Sequence, residues 1–115
     1  MSSDPWFRGL ELFRNRQFWE AHEAWEELWQ ASDKASPQGL VVRGLIQAAA
    51  ACLKSLQGNP RGLAILKQRS AATLAASGLA CYREIDIQKL IQDLNDLQLG
   101  QVTALAGLPR EVPNL

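Results

Sequence analysis

Three dipeptides, Asp4-Pro5, Ser36-Pro37 and Asn59-Pro60, constrain the fold of this chain more than any other feature. In each, a side chain able to accept a hydrogen bond from the free N–H groups of a helix start precedes a proline. Proline has no N–H to waste and a φ already suited to the first helical position. Each dipeptide therefore opens a helix. The first helix is short, with Trp6, Leu10 and Phe13 on one face, and it turns at Asn15-Arg16, where asparagine tolerates a left-handed backbone. A second helix runs from about Gln17 to Gln30 and ends in the polar loop Ala31 to Ser36. The third, from Pro37 to about Leu56, is apolar around most of its circumference through Val41, Val42, Leu45, Ile46, Ala49, Cys52, Leu53 and Leu56. Such a helix belongs in the middle of a bundle. Its polar stripe of Arg43, Gln47 and Lys54 lies among Gly44, Ala48, Ala50 and Ala51, small residues that let a neighbouring helix come close.

Gly58-Asn59-Pro60 is the sharpest turn, ending one helix and capping the next, so the third and fourth helices are antiparallel neighbours. The fourth runs to about Ser77 and packs through Leu63, Leu66, Ser70, Thr73 and Leu74; Gly78 ends it. Asp86 caps a fifth, with Ile87, Leu90, Ile91, Leu94 and Leu97 at amphipathic spacing, which Gly100 ends. No segment alternates as a strand does. The expectation is an all-α fold, a compact bundle of four to five helices with short antiparallel connections over residues 1–100, and a loosely attached tail over 101–115 that carries two prolines and a glycine.

At 115 residues the chain is one domain, large enough for a core without disulfide or metal staples. Twelve basic and twelve acidic side chains cancel, so no global field draws nucleic acid or an anionic membrane, while self-association into a homo-oligomer is favoured. Cys52 and Cys81 have no metal-site spacing and read as buried or half-buried thiols in a reducing compartment. The first residues lack the basic and apolar regions of a signal peptide, and Arg43, Gln47 or Lys54 interrupts the one long apolar run. A cytoplasmic protein is expected.

Chemistry concentrates in the second helix, Phe18-Trp19-Glu20-Ala21-His22-Glu23-Ala24-Trp25-Glu26-Glu27-Leu28-Trp29. It holds three of the four tryptophans and the single histidine. At roughly 100° per residue, Phe18, Ala21, Trp25, Leu28 and Trp29 form the apolar face, and His22 falls within it, between Trp29 and Glu26. Glu20, Glu23 and Glu27 point the other way, and Trp19 sits at the boundary, partly exposed. His22 and Glu26, four apart, share a face.

The residues Phe13, Asn15, Phe18 to Glu23, Glu26 and Trp29, followed by Gly44-Leu45-Ile46-Gln47-Ala48-Ala49, Gly58-Asn59, Gly62 and Leu66, carry a resemblance. Taken together, from Leu12 to about Leu94, they resemble the small bacterial and archaeal proteins grouped as domain-of-unknown-function family 309. The resemblance implies a compact helical bundle and no established activity. Arg16 stands where the family tends to have glycine, and Trp25 where it more often has leucine, which puts a bulkier core near His22.

Three readings of the site follow. In the favoured one, His22, Glu26, Arg43 and Gln47 hydrogen-bond one another and tie the second and third helices together, in a protein that serves as an interaction module. In the alternative, a small-ligand-binding or hydrolase-like enzyme uses His22 as base and Glu26 to set its tautomer, with Arg43, Gln47, Glu23 and Trp19 around the ligand. A metal version would rest on His22 and Glu26, yet the chain offers no second histidine, and no cofactor is implied. The partner is an unknown small molecule or protein.

Overall fold

The structure, a computed structural model, describes residues 4–101 and 107–109. Five helices follow in order: α1 (Pro5–Arg14), α2 (Phe18–Gln30), α3 (Pro37–Leu56), α4 (Pro60–Ala76) and α5 (Ile87–Asp96). The fold is all-helical apart from one small hairpin. Each expected cap is in place: Asp4 accepts from the Trp6 N–H, Ser36 from Gly39, Asn59 from Gly62 and Asp86 from Lys89, at 2.9–3.0 Å.

The helix ends explain the tight turns. After α3, the Gly58 N–H donates to Ser55 O and the Asn59 N–H to Lys54 O, a paired closure that needs a left-handed residue between them. Gly58 supplies it at φ 67°. The same pair closes α1, from Arg16 N–H to Phe13 O and from Gln17 N–H to Leu12 O. The expected left-handed Asn15 is wrong by one position: Asn15 lies at φ −85° and Arg16 at φ 61°. Hydrogen-bond geometry sets the conformation here, and arginine adopts it despite the cost of a Cβ.

The core is built on α3, which packs against α2 on one side and α4 on the other. Val41, Val42, Leu45, Ala48, Ala49 and Cys52 are buried in it, with Trp6, Leu10 and Phe13 from α1, Phe18 and Trp25 from α2, and Leu63 and Leu74 from α4. By length and composition α3 is apolar enough to cross a membrane, its polar residues notwithstanding, but in this bundle it is the central core helix. Gly44 and its neighbours let α4 come close, as their size suggests: Leu74 lies where a Gly44 side chain would be, and the Ser70 hydroxyl donates to Gly44 O at 2.7 Å. Leu56, expected in the core, is exposed.

Four departures lie beyond α4. Two short strands, β1 (Cys81–Tyr82) and β2 (Ile85–Asp86), pair antiparallel where no strand was expected. Cys81 there is exposed, not buried. The hairpin is held to α1 by Tyr82, edge-on to Trp6 at 5.5 Å, and by the Arg83 guanidinium 4.8 Å over the same ring. Helix α5 stops at Asp96, short of Gly100, because Leu97 turns extended and the following turn docks on α3. There the Ser55 hydroxyl donates to Gln98 O, and the Gly100 N–H donates back to Ser55. Of the expected loose tail, the described Gly107–Pro109 is tied down at Gly107, whose N–H donates to the Asp93 carboxylate and whose carbonyl accepts from the Asp86 N–H. The rest of the tail lies outside the described residues.

Candidate functional site

The rotational setting of α2 decides what its polar residues face. Trp25 is fully buried, and its indole N–H donates to the Trp6 carbonyl of α1 at 3.3 Å. On the α1 side, the Arg8 guanidinium pairs with Glu27 at 2.6 Å. With Trp25 turned inward and Glu27 held toward α1, the stripe Trp19, His22, Glu26, Trp29 falls along the opposite flank, at spacings of three, four and three residues.

On that flank, Trp19 is 54% exposed and stacks on His22, ring centroids 5.2 Å apart and planes within 15°. The His22 side chain is 24% exposed, and its Nε2 lies 3.4 Å from the Glu26 Oε2, a polar contact at the rim of the core. The other ring nitrogen, Nδ1, is buried and has no hydrogen-bond partner. One turn further on, the Trp29 indole N–H is also buried without a partner, and Lys34 covers that ring at 4.9 Å. Trp29 was not among the sequence candidates, although its seven-residue spacing from His22 places it on the same stripe. Glu20 and Glu23 are exposed, and among the described residues neither is in an ion pair.

Arg43 and Gln47 do not join this cluster. Arg43 is exposed, and among the described residues no hydrogen bond or ion pair links either residue to His22 or Glu26. The reason is the neighbour that α3 serves. Gly44 meets Leu74 and Lys54 meets Gly62, so the stripe through Gly44, Gln47 and Lys54 faces α4 rather than α2. Gln47 Oε1 is left buried and unpaired. The expected four-residue network between α2 and α3 is therefore absent, and the polar residues of α2 form a flank of their own.

This geometry limits the chemistry. A general base must present a lone pair to its substrate. Here Nδ1 points into the protein, while Nε2, the nitrogen nearer solvent, lies against a carboxylate. His22 and Glu26 would supply two metal ligands, and among the described residues no three histidine, cysteine or acidic side chains come together to hold an ion. An open depression of about 420 Å³ beside the hairpin, lined by Cys81, Arg83, Glu84 and Asp86 among others, includes none of the α2 residues. What the flank does offer is an indole stacked on His22 and more than half exposed, with Glu20, Glu23 and Glu26 following along the helix.

Residues 6–66, more than half of the chain, match the model of a family described as a domain of unknown function, DUF309. The match begins before Leu12 and ends well short of Leu94. No curated protein and no solved structure matches the chain.

Proposed function

This chain belongs to the DUF309 family, and we propose that it acts as a recognition module whose α2 flank binds a cationic group, the guanidinium or ammonium of a partner's side chain. The observation that carries this is the Trp19–His22 stack, which holds an indole in one pose while leaving more than half of it exposed. A positioned aromatic face attracts a cation by about 0.5–1 kcal/mol when solvent-exposed. Neighbouring carboxylates add about 0.2–1 kcal/mol each. One guanidinium is thus held by about 2 kcal/mol, so useful affinity requires a segment that presents more than one cation. The missing hydrogen bonds between α2 and α3 argue against the polar residues serving to tie those helices together. The inward Nδ1 argues equally against hydrolase-like use of His22. Two cysteines without a disulfide support a reducing compartment, the cytoplasm.

The test is a fluorescence titration with the peptide acetyl-Arg-Ala-Arg-amide. Binding on Trp19 changes emission of the wild-type protein but not of a Trp19→Leu variant, and the same peptide with citrulline for arginine has no effect. Equal responses of the two proteins, or of the two peptides, would refute the proposal.

A further inference from the structure

We infer that the cationic segment seated on the α2 flank comes from a second copy of this chain: Arg14 and Arg16 of one copy lie against Trp19, Glu20 and Glu23 of the other, and the reverse. The inference rests on the recognition reading above and names its partner. Arg14 ends α1 and Arg16 forms the corner before α2, both exposed, and among the described residues neither guanidinium makes an ion pair. The corner thus displays two unneutralised cations immediately before the exposed indole, and Glu20 and Glu23 display two unneutralised anions immediately after it.

That order along the chain, cations at the α1–α2 corner, then indole, then anions in the first turns of α2, is self-complementary. A two-fold axis near Trp19 lays the basic side of one copy on the acidic side of its mate, and both halves of the contact are satisfied at once, as an isologous interface requires. The formal net charge of zero leaves no long-range repulsion between copies. Stable interfaces bury about 1,200–2,000 Å² in total, more than two indoles supply. Further apolar surface is exposed at the end of α3, whose last turn lies past the start of the antiparallel α2, since α3 has 20 residues and α2 13. Leu56 is exposed on that turn, and so is Leu99, whose neighbour Gly100 is bonded to Ser55.

The experiment is sedimentation equilibrium on the full chain, from low to high micromolar concentration, with two charge-reversed variants. One carries Arg14→Glu and Arg16→Glu, the other Glu20→Arg and Glu23→Arg. All four positions are exposed, and far-UV circular dichroism verifies that each variant is folded. Wild type is expected to dimerise. Each variant alone should dimerise about a hundredfold more weakly, because like charges now meet. An equimolar mixture of the two should form a heterodimer, since every pair is again opposite in sign. A wild-type monomer at the highest concentration, or folded variants that do not associate on mixing, would overturn the inference. A monomer whose Trp19 still responds to the arginine peptide sinks the dimer and spares the recognition reading, whereas a monomer that ignores the peptide sinks both.

Discussion

Replacing Gly9 by alanine tests how the orientation of α2 is set. In an exposed helix interior this change stabilises by about 1 kcal/mol, because alanine is the better helix former. At Gly9 the opposite is expected. A Cβ there would lie 2.1 Å from the Trp25 Nε1 and within 2.5 Å of two further indole atoms. The indole is rigid and fully buried, so it must move by roughly 1 Å or more to regain van der Waals distance. Overpacking of this kind costs about 1–3 kcal/mol. The shift also breaks the hydrogen bond to Trp6 O and leaves a buried N–H unsatisfied, which costs about 1–3 kcal/mol more. After the gain in helix propensity, a net loss of about 3 kcal/mol remains, a fall in Tm of roughly 12 °C for a domain of this size. Urea unfolding of wild type, Gly9→Ala, Trp25→Leu and the double variant forms the cycle. With the smaller leucine in place of the indole, Gly9→Ala should cost nothing or stabilise, a coupling of about 2 kcal/mol or more. If Gly9→Ala is neutral in wild type, or equally costly in both backgrounds, Trp25 does not fix α2 against α1 through this contact.

Two further outcomes are expected. Burial pushes the Cys52 thiol from 9.0 up to about 12, so the folded chain keeps a proton that the unfolded chain releases. That contribution to stability is complete below pH 9 and is lost as the pH rises toward 12, by up to about 1.4 kcal/mol per unit. Denaturation of wild type and Cys52→Ala should show the difference between them shifting in the alanine variant's favour across this window; a constant difference would count against a protonated buried thiol. At Gly107, a Cβ would meet the Leu90 backbone nitrogen at 2.5 Å and the Asp86 carbonyl at 2.7 Å. Gly107→Ala should therefore release this part of the tail and speed hydrogen exchange at the Asp86 amide, which donates to Gly107 O. Unchanged exchange at Asp86 would show that the tail is held by other contacts.

The helices were legible in the sequence because their starts are written locally. Asp4, Ser36, Asn59 and Asp86 need only their own backbone to act as caps, and Gly58 and Gly78 take the left-handed conformations expected of glycine after a helix. The hairpin was not legible, since strands of two residues are too short to show a period of two. Arg16, where the family tends to have glycine, is left-handed because hydrogen bonds back to Leu12 and Phe13, not the residue type, select that conformation. In the candidate site, the pairing of His22 with Glu26 and the exposure of Trp19 follow from positions along one helix. The fate of Arg43 and Gln47 depends on which helix covers each side of α3. Gly44 and Gly62 held that information, as close-approach points for α4, but a helical wheel of α3 alone does not say which neighbour uses them. Gly107 is the same case: its contact with the first turn of α5 exists only once the tail has folded back.

The most direct test of recognition at Trp19 uses the single histidine, whose ring signals are unique in the spectrum. Trp19 lies 5.2 Å from that ring, so a cation that settles on the far face of the indole alters the field at His22 without touching it. Proton NMR of the His22 ring during titration with acetyl-Arg-Ala-Arg-amide should show saturable shifts, absent with the citrulline peptide and absent in Trp19→Leu. His22 signals that stay unmoved in the wild-type protein up to millimolar peptide would contradict a cation-binding flank on α2.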